Sequence, residues 1–151
     1  MFEIYEGALD VSAIYAKWYE GLKDKNCGAF LTFCGIVREE QSDEKKGIVE
    51  ALSFEIYEPL LKAWFKEWEE KFKDEGVSFF FAHSLGEVKI HQSSYLAGVL
   101  SKNRTLGLKL LNDFVEDFKH NAPIWKYDVI NREKIYAKKR SYKLKGAGIL
   151  A

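Results

Sequence analysis

Two lysines bracket a Pro-Ile-Trp step in KHNAPIWKYD, residues 119–128. Lys119 falls where a helical pattern runs out, and Lys126 directly follows the buried-type Ile124-Trp125 pair. One reading is structural: two solvated ammonium groups around a helix stop, the first complementing the helix dipole. The other reading is chemical. An ammonium set against an apolar wall and among other cations loses basicity, so it can take up and release protons near neutral pH. Two arginines extend this second reading. Arg38 closes the segment AFLTFCGIVR, and Arg104 stands where SSYLAGVLS hands over to a helix. A guanidinium grips phosphate through two parallel hydrogen bonds, and Trp125 offers a flat wall for a heterocycle. Taken singly, each of these residues has an ordinary structural explanation. Together they describe a site for a phosphorylated, flat, anionic ligand, provided that the fold brings them to one place.

The elements that must do so are legible from periodicity. Residues 10–23 carry Val11, Ile14, Tyr15, Trp18 and Leu22 at helical spacing behind Asp10 as N-cap. Residues 29–38 are β-branched and aromatic, which predicts a strand. The charged segment EEQSDEKKG is an exposed loop, and 48–57 predicts a second strand with Ile48, Leu52, Phe54 and Ile56 on one face. Pro59 suits the first turn of a helix whose stripe of Leu61, Trp64, Phe65, Trp68 and Phe72 reads as core. Residues 77–90 predict a strand, a turn at Gly86 and a short strand, and 93–101 another strand. A helix follows over about 104–120, stopped by Pro123; IWKYDVI returns to strand and KIYAKKR pairs back. Links between strands are too short for crossover helices. The expectation is one α+β domain over residues 1–151, with a mostly antiparallel sheet and about three helices.

Composition narrows the function classes. Lys+Arg and Asp+Glu are 23 each, a formal net charge of +0, so no global field draws the chain to nucleic acid or membrane. The aromatic share of 15% suits a packed interior. The opening MFEIYEGALD has no secretory pattern and no run approaches a membrane span, so a cytoplasmic protein is expected. Dinucleotide, P-loop, zincin, CxxC and GxSxG motifs are all absent from the sequence. His83, His91 and His120 lack metal spacing; His83, at the end of an apolar strand, reads as a satisfied structural histidine. Cys27 and Cys34 read as core or strand-edge thiols.

Five blocks, GAFLTFCGIVR, LSFEIYEPL, AHSLGEVKI, KNR and APIWKYD, occur in an order that resembles the large, catalytic subunit of molybdopterin synthase. They cover most of the chain, from Gly28 to Lys126 and onward. The resemblance implies an α/β-hammerhead-like core with an additional small sheet. It implies sulfur transfer from the C-terminal Gly-Gly thiocarboxylate of a small ubiquitin-like partner to cyclic pyranopterin monophosphate (precursor Z), forming the dithiolene of molybdopterin. It also implies a homodimer at the centre of a heterotetramer, and neither a metal nor an organic cofactor. On the matching positions, Lys126 and Lys119 fall on the family's catalytic lysines. Ile36, Val37 and Arg38 fall on a substrate-binding segment. Arg104 falls on an arginine expected to reach a site in the neighbouring subunit. Tyr127 and Asp128 follow the lysine where an acidic residue is usual, and Arg140 is counted among the substrate contacts. Asn103 stands where the family has histidine, with an amide still able to bond a phosphate or pterin edge. Ser84 replaces an arginine and His91 a glycine.

A runner-up reading makes the chain a non-catalytic RNA- or partner-binding module, because KIYAKKRSYKLK, residues 134–145, interleaves basic residues with tyrosines. A third makes it a scaffold whose chemistry lies in its partner. The end of the chain, KGAGILA, is slim enough to enter the pocket expected to take a Gly-Gly tail.

Overall fold

A computed structural model describes residues 1–42, 45 and 47–137. Its elements run β1 (Phe2–Glu6), α1 (Val11–Glu20), β2 (Ala29–Ile36), β3 (Ala51–Ile56), α2 (Glu58–Lys71), β4 (Ser78–Lys89), β5 (Ser93–Ser101), α3 (Arg104–Asn121), β6 (Ile124–Ile130) and β7 (Glu133–Tyr136). The seven strands form a sheet of order β2-β5-β4-β3-β6-β7, and β1 lies parallel against β4. Every other pairing is antiparallel.

β4 explains the sheet. Its residues alternate between two cores. Phe79 and Phe81 face α2 and α3, beside Trp64, Phe65 and Phe114, whereas Phe80 and Ala82 face α1, beside Ile14 and Trp18. Both faces are covered, which is why this strand is apolar without alternation. Sequence reasoning places a turn at Gly86, but the strand runs unbroken from Ser78 to Lys89. Gly86 takes φ +82, a conformation open to a residue without Cβ, and so bends the strand without ending it. Before the bend β4 pairs with β5 through Ser78–His83; after it, Gly86–Lys89 pair with β3. One strand therefore belongs to two sub-sheets.

β1 lies outside the strands that periodicity predicts. It is five residues long, and it completes the sheet by sending Phe2 and Ile4 to one core and Tyr5 to the other. β3 is shorter than the periodicity suggests: Ile48 lies outside it, 55% exposed, on an isolated bridge to Gln41. The helix boundaries follow their caps. Asp10 accepts the Ala13 N–H at 3.1 Å, and Pro59 lies in the first turn of α2. α2 and α3 are joined by Asp117, whose Oδ2 accepts the indole N–H of both Trp64 and Trp68 at 2.7 Å. Among the described residues no helix is long and apolar enough to cross a membrane, and no group of three or more His, Cys, Asp or Glu is placed to hold a metal ion.

Candidate active site

The backbone around Pro123 sets the site. The Ala122 N–H closes the last turn of α3 on the Phe118 carbonyl at 3.1 Å, and the Ile124 N–H returns to Ala122 O at 2.8 Å. The chain reverses at once into β6, where Lys126 pairs with Phe54 of β3. Lys119 and Lys126 thus stand on either side of one tight turn, and both line a cleft of about 200 Å³. Its other walls are Gly35 and Ile36 from β2 with Val37 just beyond it, Leu52 and Phe54 from β3, His83 from β4, Ser94 and Tyr95 from β5, and Phe118, Ala122 and Ile124. Lys119 is exposed and Lys126 half-buried.

A bulge between Gly35 and Ile36 ends the regular ladder of β2. Beyond it, Val37 is clamped to the β4–β5 hairpin: its N–H donates to Gln92 O at 2.9 Å and its carbonyl accepts from His91 N–H at 2.6 Å. His91 holds φ +67, a left-handed conformation suited to the glycine of the family pattern. Gly35 lies so close to Tyr95 that an added Cβ would meet Tyr95 Cβ at 3.1 Å. The ring of Tyr95 stacks on Phe118 at 4.1 Å between centroids, and its hydroxyl is buried without a hydrogen-bond partner. Burial pushes that phenol well above its usual range.

His83, which the sequence reads as a structural histidine, also reaches the cleft. It is a buried histidine satisfied by the backbone, as expected, with Nδ1 2.7 Å from Ser84 O. It also forms part of the cleft wall, edge-on to Phe54 at 4.9 Å. Burial lowers its pKa from 6.5 to about 4; the Ser84 carbonyl opposes the shift and the Lys126 charge adds to it. The ring is neutral at pH 7. The signal available beforehand was a histidine interrupting an apolar strand, but only the strand order sets it beside Lys126.

The remaining expected residues lie elsewhere. Arg38 follows the lining segment but points to solvent, 83% exposed, with Glu40 at 3.7 Å. Asn103 is the N-cap of α3, its Oδ1 accepting the Leu106 N–H at 3.0 Å. Arg104 opens the same helix that Lys119 nearly ends, so their backbones stand about 22 Å apart at 1.5 Å per residue. Tyr127 faces away from the cleft and donates to Glu55 at 3.1 Å. Asp128 is fully buried and accepts from Ser42 Oγ at 3.1 Å. Arg140, the KGAGILA end and most of the basic segment lie outside the described residues.

The sequence model of the family described as MoaE protein matches residues 4–121. The chain belongs to the MoaE family. It is 52% identical, over the whole of both chains, to the molybdopterin synthase catalytic subunit of Helicobacter pylori strain 26695. A solved complex of subunits 1 and 2 of the molybdopterin-converting factor from the same organism contains a chain that superposes with a TM-score of 0.87 at 52% identity, covering 99% of each chain. Molybdopterin synthase from Staphylococcus aureus superposes at 0.70 with 25% identity, covering 89% of this chain and 95% of that one. These superpositions bear out the α+β fold class.

Proposed function

We propose that the chain is the catalytic subunit of a molybdopterin synthase, a sulfurtransferase of molybdenum cofactor biosynthesis. It takes sulfur from the C-terminal thiocarboxylate of a small ubiquitin-like subunit and installs it on cyclic pyranopterin monophosphate. The observation that carries this reading is the meeting of Lys119 and Lys126 in one cleft, closed on its other sides by apolar and aromatic residues, in a chain with a full-length relative of that activity.

The geometry suits the chemistry. A thiocarboxylate is already a nucleophile, so the protein has to hold it against a second anion, the cyclic phosphate. Two unit charges ~4 Å apart repel by about 1 kcal/mol in water and by more in a cleft walled with rings. Lys119 and Lys126 offset that repulsion and fix the reacting carbon near the sulfur. Lys126 gives a proton to the departing oxygen, which a guanidinium would not. Arg38, at the end of the segment that lines the mouth, takes the phosphate. Asn103 and Arg104, at the far end of α3, serve the cleft of a second copy in a homodimer. Phe33 and Ile36, 40% and 60% exposed on the edge strand β2, supply apolar surface for such an assembly.

Mass spectrometry of this chain with a thiocarboxylated partner and the cyclic pterin tests the proposal. Conversion of thiocarboxylate to carboxylate together with a dithiolene pterin is expected. Unchanged partner and pterin, or equal conversion without this chain, would reject it.

A further inference from the structure

Sulfur transfer from an acyl donor has a second half, and the cleft contains a base suited to it. When a thiocarboxylate sulfur bonds to a pterin carbon, a carbon–oxygen bond at that carbon breaks. The partner's terminal carbonyl is then joined to the pterin through a thioester. Releasing the sulfur requires water: a carbon–oxygen bond forms at the acyl carbon and the acyl carbon–sulfur bond breaks. The electron pair leaves with sulfur as thiolate, and the partner departs as carboxylate. Two protons are shed, one from the attacking water and one from the new carboxyl group, which ionises to solvent. Nothing is oxidised or reduced. The water's proton needs an acceptor beside the thioester.

Lys119 and Lys126 are engaged with the two anions, and burial keeps the Tyr95 phenol protonated. His83 differs. A carbonyl can only accept, so the 2.7 Å contact with Ser84 O places the proton on Nδ1 and leaves the lone pair on Nε2. The ring is held by Phe54 at 4.9 Å, Phe118 at 5.5 Å and Tyr95 at 5.7 Å. The titratable groups around it are Lys126 from β6, Lys119 from α3 and the Tyr95 phenol from β5; β1 sets Ile4 opposite it in the ladder. We propose that His83 is the general base of thioester hydrolysis, its Nε2 accepting the proton of the attacking water. This rests on the sulfur-transfer reading above. Burial and Lys126 keep the imidazole unprotonated at neutral pH, and an anionic ligand beside Lys126 restores part of its basicity.

Single-turnover mass spectrometry separates the two halves of the reaction. In wild type, partner carboxylate and sulfurated pterin appear together. In His83→Phe, which keeps a ring in the aromatic cage, attack persists and hydrolysis slows by about 10²–10³-fold, so the partner–pterin adduct accumulates. Added imidazole restores turnover to His83→Ala. Lowering the pH from 5 to about 4, through the folded pKa of the ring, makes wild type itself accumulate the adduct, an arm that needs no variant to fold. Loss of both halves in proportion, His83→Phe turnover at the wild-type rate, or acid-slowed wild type without adduct would overturn the assignment. A wild-type chain that forms neither adduct nor product would instead overturn the sulfur-transfer reading on which it rests.

Discussion

Acidification from pH 7 to 5 is expected to weaken the fold through His83, by an amount that the structure allows to be calculated. Its pKa is lowered from 6.5 in the unfolded chain to about 4 in the folded one, chiefly by burial. Between those values the unfolded chain binds a proton that the folded chain refuses. The His83 contribution is therefore full above pH 6.5 and is lost as the pH falls toward 4. Integrating the two titrations gives about 2 kcal/mol lost between pH 7 and 5, approaching about 3 kcal/mol below pH 4. Carboxylates titrate in the same region, so the effect is read as a difference. Urea unfolding of wild type and His83→Phe is measured at intervals from pH 7 to 4.5. The stability gap between them should shift in favour of the variant by about 1.4 kcal/mol per pH unit at its steepest. Parallel curves would refute the reasoning, because they would mean that the ring is not desolvated in the native state.

Lys126→Arg keeps the positive charge in the cleft but removes a group that can part with its proton; most sulfur transfer should be lost, and full activity in this variant would remove the proton-transfer role. Arg38→Ala should weaken binding of the pterin more than binding of the partner while leaving the fold intact, since the side chain is 83% exposed; titration of each ligand checks this, and equal losses would count against a phosphate role. Co-expressed Lys126→Ala and Arg104→Ala copies, each inactive alone, should regain about a quarter of wild-type activity if Arg104 completes the site of a dimer mate, because half of randomly paired dimers are mixed and each mixed dimer has one intact site. Gly107→Ala would bring a Cβ to 2.3 Å from Leu31 Cδ1 and 2.6 Å from Ser101 Oγ, so thermal unfolding should register a loss of about 1–3 kcal/mol from overpacking between α3 and β2.

The part of the site that was legible beforehand is the part made by neighbours in sequence. A helix ending at Lys119, a proline at 123 and a strand containing Lys126 leave the chain no room to separate the two ammonium groups. The same local reasoning sets Arg104 at the opposite end of that helix. What periodicity does not convey is which strands lie side by side. Phe54, His83 and Tyr95 reach the cleft from three strands whose order is set by long-range pairing. The sequence divides β4 at Gly86 because glycine more often ends a strand than bends it, and only the change of ladder partner distinguishes the two. β1 escaped notice because its short run satisfies two cores at once. Asn103 reads as a stand-in for an imidazole, yet its amide oxygen is already committed to the Leu106 N–H.

The single carboxylate that takes both indole hydrogens of α2 lies two residues before Lys119. Half of the chain's four tryptophans are therefore wired to the helix end that carries a proposed catalytic amine. Their emission is a built-in optical gauge: a ligand that tugs on the last turn of α3 alters the environment of Trp64 and Trp68 without any label being attached.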